Sequence, residues 1–509
     1  MDSIEFQELL SATPNKFCKA IVIKLLFAII CLLGSVSANA YDFIVEGIYY
    51  NVISLSDLTC SVTTGGDKYI GGITIPKEVT YKNKTLTVIE IDSYAFQNCT
   101  ALTGVTIPNS IIKIDPYTFE GCSKLEKLNI EDGTETLNFG NISASASLKK
   151  CPLTSLYLGR KLSYYFSGAG VYSYIFSGIS TLRKVTIGKY VTEIAPFAFR
   201  DCSNLTNINI GNSVTDIGIS AFANCSSLTS VIIPNSVAEI GISAFANCSS
   251  LASIIIPNSV TEIGEKMFYG CSSLTNVTIP SSVTKISDRA FMDCINLTSV
   301  IIPNSVTEIG INVFSNCSRL TNVAIPSSVI KIGNSVFSNC SDLTRIAIPN
   351  SVTEIGEEMC YSCSSLTNVI IPNSVTDIGD SAFSNCSNLT SITIGSSVTK
   401  IGYEVFYECP ALTELYSLNP IPPSIKSFTK AQYMDMNVYV PQGSLSAYQE
   451  ADEWKNFWNL QEFDPTGVET IKADGKKIKD SYYDIQGRKL NAPKKGLNII
   501  NGKKVLIKE

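Results

Sequence analysis

Histidine is absent from the 509 residues. The commonest general base and the commonest metal ligand are therefore missing together. An enzyme would need a site in the chain ends or insertions, and no cofactor or metal is expected. Excess charge is small: 39 Lys plus Arg against 45 Asp plus Glu leave a formal −6, which draws nothing toward nucleic acid. Long apolar runs are lacking as well. Leu25 to Leu33 is too short to anchor across a bilayer core of about 30 Å, so no transmembrane span is expected in the mature chain. Tryptophan occurs twice, at Trp454 and Trp458.

What is present is a period. Cysteine returns every 23 residues at 202, 225, 248, 271, 294, 317, 340, 363, 386 and 409. A fixed period of this size means stacked repeats, which override any domain count taken from length. Within one unit, Leu228, Val231 and Ile233 follow L-x-x-V-x-I, which alternates at its end like a strand. Pro234 stops it, because proline cannot donate to a ladder. Val237 and Ile240 mark a second extended piece, and Gly241 is expected to turn the chain. Ala244, Phe245 and Cys248 are bulky closing filler. One coil cannot bury its own apolar residues, but stacked coils share one core, with their strands paired in parallel.

The motif C-S-x-L-T-x-V-x-I-P-x-S-V-T-x-I-G-x-x-A-F resembles the BspA-like leucine-rich repeats, also called the Treponema pallidum type. The resemblance covers residues 86 to 416. It implies a β-rich repeat solenoid: a right-handed leucine-rich-repeat-like coil stack of 23-residue units, capped at both ends, with a small β tail. It also implies adhesion to host matrix proteins and to other bacteria. It carries over no ligand-binding residue, because the motif specifies the core and not the contacts.

Residues 1 to 40 read as an export signal: Lys16, Lys19 and Lys24, then the apolar run, then Ala38-Asn39-Ala40 as a small-x-small cleavage site. Residues 41 to 85 are β-like, out of register, and read as an N-terminal cap. Two coils before Cys202 are irregular. Cys122 to Cys151 spans 29 residues, and Ile179 fills the next slot. The second insertion is rich in tyrosine: Tyr157, Tyr164, Tyr165, Tyr172 and Tyr174. Residues 417 to 465 read as a C-terminal cap, with a helix from Gly443 to Asn459 whose tryptophans plug the core end. Residues 466 to 509 form a basic β tail. Its Asp484-Ile485-Gln486-Gly487-Arg488 segment resembles the C-terminal modules of proteins that Gram-negative bacteria export by the type IX route.

The cysteine column reads as buried thiols, since stacked slots put Cβ vectors parallel. Cys360-Tyr361-Ser362-Cys363 is a C-x-x-C, yet Cys360 stands where neighbouring coils carry Phe337 and Phe383. The recurrent N-C-S at Asn224, Asn247, Asn316, Asn339 and Asn385 matches a glycosylation acceptor and also turn chemistry; in a bacterial protein the turn is the simpler reading. Glu262, Lys285, Glu308, Lys331 and Glu354 alternate in sign one coil apart. Glu193, Asp216, Glu239 and Glu262 run in like charge, a solvated stripe or a collector of calcium.

One side chain between the inward pair of each coil faces out, giving Asn209, Ile232, Ile255, Thr278, Ile301, Ala324, Ala347, Ile370 and Thr393. Beside it runs a row of Ser and Asn, with Arg345 among them. The functional expectation is a non-catalytic, secreted or surface-held binding protein. Its partner would be a matrix protein, a glycan or another cell, and its contacts Ile232, Ile255, Ile301, Ile370, Tyr164, Tyr165, Tyr172 and Tyr174. The alternative is a passive surface protein without a dedicated ligand. N-terminal sequencing of the exported protein should return Tyr41 as the first residue; a blocked Cys31 or an uncut Met1 would contradict the cleavage site.

Overall fold

The computed structural model describes residues 41–140, 148–163, 175–426 and 428–464, with short strands of the tail. The export segment 1–40 and Tyr164, Tyr165, Tyr172 and Tyr174 lie outside the described residues. The chain divides into two compact units, Met1–Ile175 and Phe176–Glu509.

The first unit starts antiparallel and becomes parallel. Phe43–Val45, Ile48–Ser54 and Thr59–Val62 pair antiparallel. Thr59–Val62 then pairs in parallel with Lys84–Ile91, which begins a ladder through Lys113–Ile114, Leu137–Asn138 and Leu162–Ser163. A second parallel ladder joins Ile70–Thr74, Ala101–Ile107, Lys127–Ile130 and Ser155–Leu158. Aromatic rings fill the antiparallel end: Phe43 stacks on Tyr50 and Tyr81, and Tyr69 stands edge-on to Tyr49 and Phe96.

The second unit repeats one coil as a β-solenoid. Leu228, Val231, Ile233, Val237 and Phe245 are all buried, as their spacing predicts. The strand Ser230–Ile232 lies in register against Ser253–Ile255 and ends before Pro234. The second extended piece is the two-residue strand Glu239–Ile240. Phenylalanines one coil apart stack from Phe199 to Phe337 at ring separations such as 5.4 Å for Phe222–Phe245.

Gly241 does not make the left-handed turn. That turn belongs to Ser243 and Asn247, at φ +57° and +58°. A Cβ on Gly241 would stand 2.5 Å from the backbone nitrogen of Ile219 in the coil before. Glycine is needed there because two backbones approach closely, not because of its own dihedral. All five N-C-S asparagines have φ near +60°, which supports the turn reading.

The stretch from Gly443 to Asn459 is not one helix. It contains a helix at Leu445–Glu450, a single turn at Trp454–Asn456 and the start of a strand, Asn459–Phe463. The helix ends at Glu450, where Ala451 turns extended, and Glu453, at φ +68°, redirects the chain before the single turn. Trp454 is fully buried and donates its indole N–H to the Pro423 carbonyl at 2.8 Å. Trp458 is 74% exposed, so one tryptophan fills the core end and the other does not. In the tail, Gly496–Ile500 and Lys503–Ile507 form an antiparallel pair, joined by Glu469–Ile471, Tyr482–Tyr483 and Lys489–Leu490.

The slot cysteines are buried, and their thiols are not mere filler. In the regular coils from Cys202 to Cys363, and again at Cys409, Sγ points at the carbonyl of the phenylalanine 26 residues earlier: Cys248 to Phe222 at 3.2 Å, Cys294 to Phe268 at 3.3 Å. That oxygen already accepts the N–H of Cys225 or Cys271, so the thiol meets its second lone pair. Cys360 takes the phenylalanine place, and Cys386 Sγ points at its carbonyl at 3.2 Å. Burial pushes the Cys122 and Cys151 thiols up to about 12. Burial first, then the neighbouring thiols, holds Cys248, Cys271 and Cys294 well above the ordinary range.

Below about pH 8 these thiols are protonated whether folded or not and add no pH dependence. Above about pH 9 the unfolded chain loses protons that the folded chain keeps, so stability must fall as pH rises. Denaturant titrations should show a flat unfolding free energy from about pH 6 to 8 and a steepening loss above about pH 9, up to roughly 1.4 kcal/mol per pH unit per thiol. Cys294→Ala with Cys317→Ala should shallow that slope. Identical alkaline slopes in the wild type and this variant would refute the thiol account.

Candidate functional site

The outward face of the second unit is built by strand alternation. In Ser253–Ile255 the middle residue, Ile254, is buried and its two neighbours point out. The same exposed-buried-exposed order holds in Asn207–Asn209, Ser230–Ile232, Asn276–Thr278, Ser299–Ile301, Asn322–Ala324, Arg345–Ala347 and Asn368–Ile370. Ile232, Ile255, Ile301 and Ile370 are 75%, 70%, 71% and 66% exposed. Ile232 and Ile255 are direct lateral neighbours, and Thr278 separates Ile255 from Ile301. These isoleucines leave apolar area open on one face, although Ile330, beside the charged column, is 65% exposed as well.

The structure also brings to this face two aromatic rings, Tyr439 and Phe463, from the stretch expected to be a cap. The parallel ladder continues past 416: Tyr416 lies against Tyr439, and Asn437–Pro441 against Asn459–Phe463. The two tyrosine rings stack at 4.5 Å, with Phe463 edge-on to both. The signal was available, since Thr393, Tyr416 and Tyr439 are 23 residues apart. Asn419-Pro420 and the loss of the cysteine hid it. Burial, then the nearby Glu414, pushes the Tyr416 phenol up to about 12, and its hydroxyl donates to Glu414 Oε2 at 3.2 Å.

The charged column lies on the other ladder. Lys285 sits beside Glu262 and Glu308, and Lys331 beside Glu308, in register. Lys331 Nζ reaches Glu308 Oε1 at 3.1 Å, and Lys285 reaches Oε2 at 3.9 Å. Glu262 instead accepts from Ser287 Oγ at 2.5 Å. Each exposed pair contributes about 0.2–1 kcal/mol. The like-charge run is in register from Glu193 through Asp216 to Glu239, and Asp216 accepts from the Thr215 hydroxyl at 2.6 Å. Among the described residues the carboxylates that do converge are Glu90, Asp92 and Asp115. Lys113 already bridges Glu90 at 3.4 Å and Asp115 at 2.9 Å, and neutralises part of that cluster. Of the insertion tyrosines, Tyr157 is described, and its hydroxyl donates to Asp132 at 2.9 Å. No helix among the described residues is long and apolar enough to cross a membrane.

The family model of the BspA type leucine-rich repeat region matches residues 43–168, 170–298 and 284–413. Among solved structures, a leucine-rich repeat protein from Bacteroides ovatus is 26% identical, covers 74% of this chain and 94% of its own, and gives a TM-score of 0.41. A leucine-rich cell surface protein from Faecalibacterium prausnitzii is 24% identical over 74% and 94%, with a TM-score of 0.33. The leucine-rich repeat protein of T. pallidum is 22% identical over 55% and 91%, with a TM-score of 0.21. No curated protein matches the chain.

The outward isoleucines contribute little to folding, because they stay in water. Ile255→Thr should change the unfolding free energy by less than about 1 kcal/mol, whereas Ile256→Ala, one residue on and buried, should cost about 2–5 kcal/mol. Denaturant unfolding of the two variants compares them directly, and equal losses would place Ile255 in the core.

Proposed function

Because the chain belongs to the BspA-type leucine-rich-repeat family, we propose that it is a non-catalytic binding protein working at the cell surface or outside the cell. One observation carries this reading: four isoleucines 66–75% exposed on the outward face of one unit. They offer apolar area without desolvating a charge. The flanking Ser and Asn side chains add hydrogen bonds at small cost in rotamer entropy. Tyr416 and Tyr439 extend the face with stiff, amphipathic rings of the kind that dominate hot spots. In this reading Tyr164, Tyr165, Tyr172 and Tyr174 form a second contact element. The partner is a matrix protein or a glycan, and residues 466 to 509 serve delivery or retention.

Ile255→Lys with Ile301→Lys, tested against Glu262→Gln with Glu308→Gln, separates the two faces. After circular dichroism establishes that both variants fold, capture of the chain on immobilised matrix proteins and glycans should fall by roughly thirtyfold for the isoleucine pair, as losing one anchor of about 2 kcal/mol implies. It should hold for the glutamate pair. Unchanged capture by the isoleucine variant would favour a passive surface protein or a contact on the charged column.

A further inference from the structure

The outward face is not uniform along its length. Ile301, Ala324 and Ala347 are direct neighbours in register, and Ile370 follows in the next coil. Two alanines therefore sit between two exposed isoleucines, and the face drops by most of a side chain. The result is an open cavity of about 560 Å³ whose polar lining is Asn322, Arg345, Asn350, Asn368 and Asn373.

Arg345 is the only charged residue in its outward row from Asn207 to Ser391. No carboxylate among the described residues pairs with it. A guanidinium on a neutral face with no counter-charge is a fork held open for a planar anion. Around it, the amides of Asn322, Asn350 and Asn368 each offer both a donor and an acceptor, the combination that vicinal hydroxyls need, while Asn373 Oδ1 already accepts from the Ser396 N–H at 2.9 Å. The floor is methyl groups of Ala324 and Ala347, flat enough for the C–H face of a sugar ring.

From this arrangement we propose that the step around Arg345 binds a glycan that ends in an acidic sugar, with the sugar carboxylate on the guanidinium and its hydroxyls on the asparagines. The proposal rests on the outward face being the contact surface. It specifies one carboxylate, not a polyanion. A single cation cannot hold a dense row of negative charge on a chain whose net charge is −6. The three amides around one cation also suit a ring rich in hydroxyls better than an acidic peptide, which presents one carbonyl and one N–H per residue.

The test is isothermal titration of the full chain with 3′-sialyllactose, with a glucuronic-acid-terminated disaccharide, with lactose, and with a short peptide ending in aspartate. The first two ligands separate a nonulosonic from a uronic acid source. At least one of them should bind, with lactose roughly tenfold or more weaker, as the loss of one charge-assisted contact implies. Arg345→Gln should lower the affinity by a similar roughly tenfold. Ala324→Ile with Ala347→Ile should abolish binding, and it restores the side chain that neighbouring coils carry, so the coil tolerates it.

Equal binding of lactose and the acidic sugars would overturn the assignment, as would unchanged affinity in Arg345→Gln. Binding of the peptide alone would overturn it in favour of an acidic protein ligand. The wider reading fails separately. If Ile255→Lys with Ile301→Lys still abolishes capture while no acidic sugar binds, only this site is lost; if the isoleucine changes are silent, the contact face itself is wrong.

Discussion

Everything in the second unit depends on how one turn divides its N–H groups. From Ser243 to Cys248 they alternate. Those of Ala244, Ala246 and Cys248 bond three residues back, to Gly241, Ser243 and Phe245. Those of Ser243, Phe245 and Asn247 point along the stack to Glu265, Met267 and Tyr269 at 2.9, 3.1 and 2.6 Å. Two left-handed residues per turn produce this alternation, and in this coil they are Ser243 and Asn247, not glycine. Each costs about 1–2 kcal/mol in isolation, so the turn persists because the next coil accepts its hydrogen bonds. The coil is thus a conformation that exists in the company of its neighbours. That is the physical meaning of a repeat too short to fold alone.

The outward face follows from the same repetition. Because the backbone fixes which residues point out, the rows can vary without disturbing the core. Ile, Thr, Ala and Asn exchange at the outward position while Val or Ile stays beneath. Chemistry on this face is written in steps of 23 residues, as a change of side chain against a constant neighbour. The alanine step and its single arginine are one such change, and the stacked Tyr416 and Tyr439 are another.

Much of this was legible in the sequence, because the period names which residues are equivalent. The inward set, the strand stop at Pro234, the phenylalanine place of Cys360 and the outward isoleucines follow from position alone. What was not legible lies where a residue acts through another coil. Gly241 looks like a turn residue until the approach of Ile219 is known. Cysteine looks like small filler until its thiol is found on the oxygen of a phenylalanine 26 residues away. The ladder beyond 416 was hidden because its coils lose the cysteine while keeping the strand. Trp458 points out because the helix that would have carried it inward ends at Glu450, where Ala451 turns extended.

The alternating column of Glu262, Lys285, Glu308 and Lys331 has a consequence apart from its small energy. Coils this similar are nearly interchangeable, so a folding chain can stack one on the next but one and loop out the coil between. The core would scarcely object, since the same leucine, valine, phenylalanine and cysteine would meet. The charges do object. Skipping a single coil sets Glu262 beside Glu308 or Lys285 beside Lys331, and like charges directly opposite repel. Attraction returns only after a skip of two. Over these four coils the column therefore disfavours a slip of one coil by the same small energy per pair, a bias that the like-charged neighbours Glu193, Asp216 and Glu239 do not supply.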